Sequence, residues 1–422
     1  MWVRKRLDIG WQDLAVGLRS CVFAPPSRQS ELAIERFWSA DADSLVCLSV
    51  RSGFDLLLES LALPPGSEIL VSALTIPDMV RIIEEHGLVA VPVDLDPELL
   101  APDLDLLQRA ITPRTRAVLV AHLCGGRLPL GAIAEVARRQ DLLLIEDCAQ
   151  AFAGRQYLGN PAADVSMFSF GTIKTATALG GAVLRVRDAE LLARMRDAQE
   201  SYPAQPTATY CKRVLKYGML KCGMTRPVYG VLLRLFRLWR RDYDRWLNSA
   251  VRGFAGPGFF ERIRHRPSAA LLAVLERRLR RYSGRRVRDR AAKGALLVDL
   301  LLERVHCPGA ETIPHTHWVF PVLVDDPARA IAALAAAGFD ATQGHSLCAV
   351  APPADRPELA PQVARQTLAQ TVYVPFYAEI TRPALERMAE VLLRTCARPA
   401  PFPTVEAPPM AESTTDAIAA RQ

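Results

Sequence analysis

The sequence predicts an α/β protein, with a mostly parallel sheet in a large domain and a smaller C-terminal α/β domain. Between Gly53 and Val186, short and nearly continuous apolar runs alternate with amphipathic stretches. Strands that are apolar on both faces are typical of parallel sheets covered by helices on each side. The chain has 422 residues, 50% of them hydrophobic, which is enough for two or three domains with a sizeable core.

The individual elements follow from local periodicity. Strands are predicted at Glu68–Val71, Val89–Val93, Ala117–Ala121, Leu142–Ile145, Val165–Phe168 and Ala182–Val186. Helices are predicted between them, at Asp78–His86, Asp103–Ala110 and Leu130–Arg139. Sheets of this kind place ligands beyond the carboxyl ends of their strands. Polar residues at those ends are therefore the first candidates for a functional site.

Four polar residues at such strand ends fit the chemistry of pyridoxal phosphate (PLP). Asp147 ends one apolar strand, Gln150 follows it by three residues, and Ser169 ends another strand five residues before Lys174. PLP catalysis needs a lysine that binds the cofactor covalently and an anion that keeps the pyridine nitrogen protonated. A hydroxyl can hold the phosphate, and an amide can contact the ring. We therefore predict that Lys174 and Asp147 are catalytic and that Ser169 and Gln150 also bind the cofactor.

From about Cys47 to about Leu393 the chain resembles the DegT/StrS-type nucleotide-sugar aminotransferases, which are fold type I PLP-dependent enzymes. The resemblance rests on LPPGSEILVSALTIPDMV, ITPRTRAVLVAHLCGG, IEDCAQA, SFGTIK and TVYVPFYAEITRPALERMAEVL. It gives Lys174, Asp147, Gln150 and Ser169 the cofactor-binding positions of the family. It also implies amino transfer, usually from glutamate, to a nucleotide-linked keto-sugar. Since the family assembles its active site between subunits, it further implies at least a homodimer.

The chain departs from the family pattern at several cofactor positions. The family's Gly-Thr pair for the phosphate is replaced by Ser52, Gly53 and Phe54, without the threonine hydroxyl. We expect backbone N–H groups at the start of the following helix to bind the phosphate there. Ile76 stands where an aromatic residue usually stacks on the ring, so that contact is predicted to be apolar. The run Ala178-Leu179-Gly180-Gly181 also lacks the carboxylate that the family has after its lysine.

Arg264 aligns with an asparagine that the family borrows from the neighbouring subunit to complete the phosphate site. An arginine can bind phosphate by a bidentate contact. The alternative is that the alignment slips here and Arg264 belongs to a solvated basic face. Both interpretations remain open at this point.

The segment 201–262 is longer than its family counterpart and is predicted to be a basic amphipathic insertion. A helix from about Pro227 would separate an apolar side from a basic side. The apolar side would hold Val231, Leu235, Leu238, Trp239 and Trp246, and the basic side Arg234, Arg237, Arg241 and Arg245. This composition is typical of helices that lie on a membrane surface. Peripheral contact through 227–247, at the inner face of the membrane, is one hypothesis, and packing on the chain's own domain or on a partner is the other.

The same patterns divide the chain into five parts. We predict an N-terminal arm (1–46), a large PLP-binding domain (47–200) and the insertion (201–262). A connecting helix and a small C-terminal domain follow (263–397), and the tail (398–422) has the composition of a disordered segment.

Composition narrows the partners and the compartment. The nine cysteines include no Cys-x-x-Cys pair, so no disulfide framework or zinc site is predicted and a cytoplasmic location is expected. No secretory leader or membrane-spanning run is recognised. The net charge of +7 favours an anionic partner such as lipid headgroups or a nucleotide-linked substrate. Because no nucleic-acid-reading element is present, we predict no nucleic-acid partner.

Other reactive residues have structural interpretations. Cys148 beside Asp147 is predicted to be a small buried residue rather than a nucleophile. His315 and His317 are predicted to face one side of a strand and to have a structural or substrate-edge role, and no metal site is predicted because no carboxylate or thiol lies nearby. His122 is interpreted as a core or turn histidine, although a place near the active site stays open.

The leading functional hypothesis is therefore a PLP-dependent aminotransferase. The alternative is a non-catalytic or atypical PLP-fold protein that acts at a membrane, or on a lipid-linked substrate, through residues 201–262. A different PLP reaction such as dehydration is disfavoured, because family members that dehydrate generally replace the lysine.

Overall fold

A computed structural model describes residues 1–225, 229, 254, 256–302, 304–344 and 346–396. Its strands are β1 (Ser44–Cys47), β2 (Glu68–Ser72), β3 (Leu74–Thr75), β4 (Val89–Val93), β5 (Thr115–Ala121), β6 (Leu143–Asp147), β7 (Val165–Ser169), β8 (Ala182–Val186), β9 (Phe320–Leu323), β10 (Cys348–Ala349) and β11 (Thr371–Val374). Seven of them form one sheet in the order β1-β8-β7-β6-β5-β2-β4. Neighbouring strands from β7 to β4 are parallel, whereas β8 is antiparallel to both β7 and β1. The prediction of a mostly parallel α/β sheet is confirmed, and the predicted strands match those observed to within two residues at each end.

The described helices are α1 (Trp11–Ser20), α2 (Ser27–Trp38), α3 (Val50–Leu61), α4 (Pro77–Glu85), α5 (Leu104–Ala110), α6 (Gly131–Arg139), α7 (Ala189–Ser201), α8 (Thr207–Gly223), α9 (Phe259–Ile263), α10 (Ala269–Arg280), α11 (Arg285–Leu300), α12 (Pro327–Ala336), α13 (Gln362–Gln370) and α14 (Arg382–Thr395). The three predicted crossover helices correspond to α4, α5 and α6. Side-chain caps fix several of the starting points. Asp103, for example, accepts the N–H of Leu106 at 2.9 Å, which satisfies one of the unpaired donors at a helix N-terminus.

The N-terminal arm is part of the folded core. Helices α1 and α2 pack against α10, and Leu14, Ile34 and Trp38 are buried in the same apolar cluster as Leu275. The Trp38 ring lies edge-on to Phe168 on β7, with the centroids 4.8 Å apart. Burial of large apolar side chains of this kind is the main force that fixes an arm to a domain. The arm therefore has a fixed position behind the strand that leads to Lys174.

The C-terminal part has a core of its own. Strands β9 and β11 pair antiparallel, and α12 and α14 pack together beside them. Leu297, Phe320 and Phe339 are fully buried in this cluster. The residues before α1 reach it, because the Trp2 N–H donates to the Gly338 carbonyl at 2.7 Å. The domain limits given above stay predictions.

The first part of the predicted insertion packs on the loop that follows Lys174. Helix α8 buries Tyr210, Val214 and Tyr217. The Tyr210 hydroxyl donates to the Ala178 carbonyl at 2.9 Å, and Arg213 donates to the Leu179 carbonyl at 3.0 Å. Residues 207–223 are thus integrated into the large domain. The predicted helix from Pro227 and the predicted disordered tail lie outside the described residues, apart from Tyr229, which is buried in the C-terminal core.

In the part of the chain that the structure describes, no helix is long and apolar enough to cross a membrane.

Candidate active site

Adjacent parallel strands bring Asp147, Ser169 and Lys174 to one edge of the sheet. β6 and β7 pair with Asp147 opposite Met167, and β7 continues to Ser169. The chain then turns at Gly171, whose carbonyl accepts the N–H of Lys174 at 3.0 Å. A Cβ atom at Gly171 would lie 3.4 Å from Ser169 Oγ and 3.9 Å from Lys174 Cγ. The predicted phosphate hydroxyl and the predicted catalytic lysine are therefore neighbours.

The amine of Lys174 lies in a half-buried, partly aromatic environment. Its Nζ is 4.2 Å from the centroid of the Trp318 ring, and no hydrogen bond to Nζ is found among the described residues. Burial lowers the pKa of Lys174 to about 8; the negative charge of Asp147 opposes this shift, and the positive charge of Arg51 adds to it. A buried amine with a lowered pKa is unprotonated in a substantial fraction of molecules near neutral pH, which is the form that reacts as a nucleophile.

Asp147 has one satisfied oxygen and one open oxygen. Its Oδ1 accepts the N–H of Ala149 at 2.8 Å, and among the described residues its Oδ2 accepts no hydrogen bond. Burial raises the pKa of Asp147, while the Ala149 N–H and the charge of Lys174 act in the opposite direction. A half-buried carboxylate with a free oxygen is stabilised by any cation that reaches it. A protonated pyridine nitrogen is such a cation, so Asp147 fits the role predicted for it.

Gln150 lies beside Asp147 and holds the loop that follows β5. Its Oε1 accepts the N–H of Cys124 at 2.9 Å. Cys124 has a φ of 56°, in the left-handed region, and the bond to Gln150 helps to fix that unusual conformation. A contact between Gln150 and the cofactor ring stays a prediction.

The predicted phosphate segment lies at a different point relative to helix α3 from the one expected. α3 begins at Val50, so Ser52, Gly53 and Phe54 lie inside its first turns and not ahead of it. The Ser52 N–H donates to Ser49 Oγ at 3.1 Å, and the Gly53 N–H donates to the Ser49 carbonyl at 2.9 Å. Both N–H groups therefore already have a partner within the chain, and phosphate binding by this segment stays a prediction.

The side-chain positions of Gly53 and Phe54, in the same predicted phosphate segment, have packing roles. A Cβ at Gly53 would approach Leu184 Cδ1 to 2.4 Å, so glycine allows α3 to lie close to β8. Phe54 is fully buried in the main core. Ile76 caps the N-terminus of α4 and is half-buried against the same core, so the apolar contact predicted for it with the cofactor ring stays a prediction.

Arg264 is bound within its own subunit. Its Nε and a terminal nitrogen donate to the two oxygens of Asp55 on α3, at 2.9 and 3.0 Å. These hydrogen bonds raise the pKa of Arg264 above its usual value. The bidentate pair with a buried carboxylate contradicts the interpretation as a freely solvated arginine, since paired guanidinium groups of this kind position neighbouring elements. Its contact with a phosphate across a subunit interface stays a prediction.

His122 belongs to a buried polar network on the other face of β6. Its Nδ1 accepts the N–H of Leu128 at 3.0 Å, so Nε2 carries the proton and donates to Glu146 Oε1 at 2.6 Å. Ser166 donates to Glu146 Oε2 at 2.7 Å. Burial raises the pKa of Glu146, but these hydrogen bonds outweigh it and the pKa falls below its usual value. The interpretation of His122 as a core histidine agrees with this network.

Cys148 completes a cluster with His122 and Glu146, whose possible ligand atoms lie within 4.8 Å of one another. The donors bound to Glu146 already occupy both of its oxygens. Burial raises the pKa of the Cys148 thiol well above its usual value. We therefore interpret the three residues as a polar network and a buried thiol, and the absence of a metal remains a prediction.

His315 and His317 do not lie on a strand, because β9 begins only at Phe320. The His317 N–H donates to His315 Nδ1 at 2.9 Å, and burial lowers the pKa values to about 4 for His315 and about 3 for His317. The His317 ring stacks on Phe320, with centroids 5.5 Å apart. Both side chains are thus neutral and packed, as the predicted structural role requires.

Sequence reasoning missed several residues that surround Lys174. Arg51, which is bonded to Asp78 at 2.5 Å, acts on the pKa of both Lys174 and Asp147. The indole N–H of Trp318 donates to the Ile173 carbonyl at 3.2 Å and so orders the residue before Lys174. The position of Arg51, at the start of the helix that carries the expected phosphate segment, was the available signal for it. Trp318 offered no local signal.

Comparison with known proteins agrees with this geometry. The model of the DegT/DnrJ/EryC1/StrS aminotransferase family matches residues 29–393. A UDP-4-amino-4-deoxy-L-arabinose–oxoglutarate aminotransferase of Shewanella sediminis is 33% identical over 174 residues, which are 41% of this chain and 44% of that protein. A GDP-perosamine synthase of Caulobacter vibrioides is 35% identical over 156 residues, 36% of this chain and 42% of that protein. The match thus spans less than half the length of each of these relatives.

Solved structures show the same fold. The aminotransferase TlmJ from Streptoalloteichus hindustanus superposes with a TM-score of 0.67 at 20% identity, covering 94% of this chain and 98% of that one. The sugar aminotransferase CalS13 from Micromonospora echinospora gives a TM-score of 0.64 at 21% identity, covering 93% and 100%. Both are similar along nearly their whole length. With the family model matched over most of the sequence, the chain belongs to the DegT/DnrJ/EryC1/StrS aminotransferase family.

Proposed function

We propose that this protein is a PLP-dependent aminotransferase. The observation that carries the proposal is the pairing, at one sheet edge, of a half-buried lysine whose pKa is lowered to about 8 with a half-buried aspartate that has an open oxygen. Family membership supports it. Two solved relatives of the same fold contain the pyridoxamine form of the cofactor, according to their descriptions.

Each residue has a distinct task in this proposal. When bound, PLP supplies an electron-accepting ring that stabilises negative charge on the carbon bearing the amine. Asp147 would keep the ring nitrogen protonated, and Ser169 would bind the phosphate. Lys174, once its amine is released, would move a proton between substrate carbon and cofactor carbon, which is general acid–base catalysis. The Trp318 ring lies 4.2 Å from the amine of Lys174 and would help to position it.

The substrates proposed are glutamate as amino donor and a nucleotide-linked keto-sugar as acceptor. The names of the relatives support this class, since one is described as an oxoglutarate aminotransferase acting on a UDP-linked amino sugar and another as a GDP-perosamine synthase. The missing carboxylate in Ala178-Leu179-Gly180-Gly181 is a feature of this chain that could alter the choice of acceptor.

The test of the proposal is the visible absorption spectrum of the purified full-length chain with PLP, before and after addition of glutamate. We expect a band from the bound cofactor that is lost when glutamate donates its amine, with release of one 2-oxoglutarate per site. A chain that binds no PLP, or whose band does not respond to any amino donor, would overturn the proposal.

The lowered pKa of Lys174 predicts how cofactor loading depends on pH. Only the unprotonated amine can bind PLP, and its fraction rises about tenfold per pH unit below the pKa. We expect the rate of loading to rise up to a pH of about 8 and to level off above it. Stopped-flow absorbance at a series of pH values measures this rate. A rate that keeps rising towards pH 10.5, the ordinary value for lysine, would contradict the effect of burial.

The proposed assembly is at least a homodimer in the cytoplasm. Support comes from the family resemblance at Arg264, which aligns with a residue that reaches the neighbouring subunit's phosphate site. The cytoplasmic location is proposed from the sequence, which contains no Cys-x-x-Cys pair. Sedimentation analysis of the purified chain tests the oligomeric state.

A second candidate function is action at a membrane or on a lipid-linked substrate, favoured by an exposed apolar surface beside the basic segment. The α1–α8 surface consists of Trp11, Leu18, Val22, Phe23, Leu215 and Met219, with Arg19, Lys212, Lys216 and Lys221 around them. Phe23 is 75% exposed and Met219 is 70% exposed. Exposed apolar side chains among cations suit the interface of an anionic bilayer. Helix α8 also leads along the chain directly towards 227–247.

Flotation with liposomes that contain anionic lipid tests this second function. We expect the Phe23→Ser/Met219→Ser variant to float about tenfold less, because each loses an apolar side chain worth roughly 1.5–3 kcal/mol when buried. A Trp239→Ser/Trp246→Ser variant tests the segment that the sequence singled out. Leu302→Ser, at a separate residue that is 63% exposed, is the matched control. Unchanged flotation in both double variants would rule the membrane function out.

A further inference from the structure

The N-terminal arm delivers a second lysine to the active site. Lys5 precedes α1 and lies between two anchors. On one side, Arg4 forms a bidentate pair with Asp340, at 2.9 and 2.8 Å. On the other side, Asp8 Oδ2 accepts the N–H of Ala176, two residues after Lys174, at 2.7 Å. The backbone around Lys5 is therefore tied both to the C-terminal core and to the loop of the catalytic lysine.

The amine of Lys5 shares a ring contact with Lys174 and has no hydrogen-bond partner in the described part of the chain. Lys5 Nζ is 3.4 Å from the centroid of the Trp318 ring, the same ring that Lys174 Nζ approaches to 4.2 Å. Lys5 Nζ is buried and makes no hydrogen bond within the described part of the chain. Burial, with the charges of Lys174 and Arg290, lowers the pKa of Lys5 well below its usual value.

Arg290 supplies a third positive charge at this place. From α11, its Nε donates to the Thr316 carbonyl at 2.7 Å, and a terminal nitrogen contacts Thr175 Oγ1 at 3.4 Å. It thereby joins the segment that carries Trp318 to the loop that carries Lys174. Burial lowers the pKa of Arg290 to about 10, and the charges of Asp8 and Glu379 oppose this shift, although Arg290 forms no ion pair with either among the described residues.

The local charges do not balance. Asp147 is needed beside the cofactor, and Asp8 is committed to the Ala176 N–H and to Arg286, which donates to it at 3.0 Å. The Cys124 thiol, which also faces Lys5, is kept neutral because burial raises its pKa to about 12. An unpaired amine held among other cations in a buried place is unfavourable unless an anion completes the cluster.

We propose that Lys5, with Arg290 behind it, forms a subsite that binds a carboxylate or phosphate oxygen of a substrate next to Lys174. The inference rests on the aminotransferase function proposed above and adds to it the group that recognises substrate charge. The oxyanion has two possible sources, namely the carboxylates of the amino-acid donor and the phosphates of a nucleotide-linked acceptor. Carboxylate and phosphate oxygens can both accept a charge-assisted hydrogen bond from the ammonium group of Lys5.

Isothermal calorimetry on the PLP-loaded, full-length chain tests the subsite with two probes that do not react. Succinate represents a dicarboxylate donor, and UDP-glucose represents a nucleotide-linked sugar. Lys5→Met keeps the length of the side chain and removes the charge. Arg6→Met is the matched control, because Arg6 is next in the chain but exposed, and its one ion pair among the described residues is with Glu379 at 4.0 Å.

We expect Lys5→Met to weaken binding of at least one probe by about 10–100-fold, the range for loss of a hydrogen bond to a charged group. Weaker succinate binding assigns the subsite to the donor, and weaker UDP-glucose binding assigns it to the acceptor. Lys5→Arg should retain most of the affinity. If neither probe is weakened, or if Arg6→Met weakens both equally, the subsite does not exist.

Proton uptake separates binding by Lys5 from a purely structural effect. Burial and the neighbouring cations lower the pKa of Lys5, and an anion bound beside its amine raises that pKa again, so binding should be accompanied by proton uptake. Titrations in two buffers with different ionisation enthalpies should show uptake of up to about one proton, lost in Lys5→Met. Equal uptake in the variant would overturn the assignment to Lys5.

Failure of this inference is distinguishable from failure of the proposed function. If the cofactor band responds to glutamate in the wild-type protein but Lys5→Met binds both probes normally, only the subsite is wrong. If the wild-type protein shows no cofactor band, the aminotransferase function is wrong, whatever the probes report.

Discussion

The Lys174→Ala protein is expected to remain folded but to lose both the visible cofactor band and transamination. Lys174 is the half-buried lysine at the edge of the sheet, with its pKa lowered to about 8 by desolvation. Removing it abolishes covalent binding of PLP and the group that moves the proton. Loss of the proton-transfer group alone lowers the rate by about 10²–10⁴-fold. Absorbance spectra and 2-oxoglutarate release from glutamate measure the two losses.

The control for this variant is Lys212→Ala, which removes an exposed lysine of α8. It should keep the band and the rate. Circular dichroism should show the same fold in both variants, since Lys174 Nζ makes no hydrogen bond to the described residues. Persistence of the band in Lys174→Ala would mean that another amine binds the cofactor, and Lys5, on the same Trp318 ring, would then be the first to examine.

The fold was predictable from sequence because its signals are local. Apolar runs such as Val89–Val93 and Ala182–Val186 coincide with β4 and β8 residue for residue. Asp147, Ser169 and Lys174 were predictable as a group because each lies at or just beyond a strand end, and parallel strands end at one edge of the sheet. No long-range information was needed for that grouping.

The remainder of the site depends on contacts between distant segments. Lys5 is 169 residues from Lys174 and Trp318 is 144 residues from it, and neither lies in a recognisable motif. The basic stretch around Lys5 had the composition of an ordinary solvated terminus. Only the anchoring of Arg4 to Asp340 and of Asp8 to Ala176 turns it towards the site. The partner of Arg264 could not be predicted from local sequence for the same reason, because its hydrogen bond to Asp55 joins residues far apart in the chain.

The start of α3 at the predicted phosphate segment differs from the expectation for another reason. The sequence 49–54 contains serines at both 49 and 52, and either could cap α3. The structure uses Ser49, whose Oγ accepts the Ser52 N–H at 3.1 Å, and this places Ser52 and Gly53 inside the helix. Helix boundaries are uncertain by a residue or two when two capping residues compete.

The Asp147→Asn protein is expected to bind PLP but to react with glutamate about 10²-fold more slowly or worse, comparable to the loss of one preorganised electrostatic group. The amide has nearly the same shape, so the bond from Ala149 to Oδ1 can be kept. It carries no charge, however, and so no longer keeps the ring nitrogen protonated. Single-turnover kinetics followed by absorbance measure the rate, and the band itself should remain.

The same variant should also change the pKa of Lys174 in a defined direction. The Asp147 charge raises the pKa of Lys174 and partly offsets the effect of burial, so its removal should move the midpoint of cofactor loading below pH 8. Glu146→Gln, one residue earlier on the opposite face of β6, is the matched control. It should cost about 1–3 kcal/mol in free energy of unfolding, because buried donors lose a charged acceptor, yet leave the loading midpoint in place. The opposite result would be that Asp147→Asn reacts with glutamate as fast as the wild-type protein while Glu146→Gln reacts slowly. The electrostatic role would then belong to the other face of β6, and the cofactor would have to lie on the His122 side.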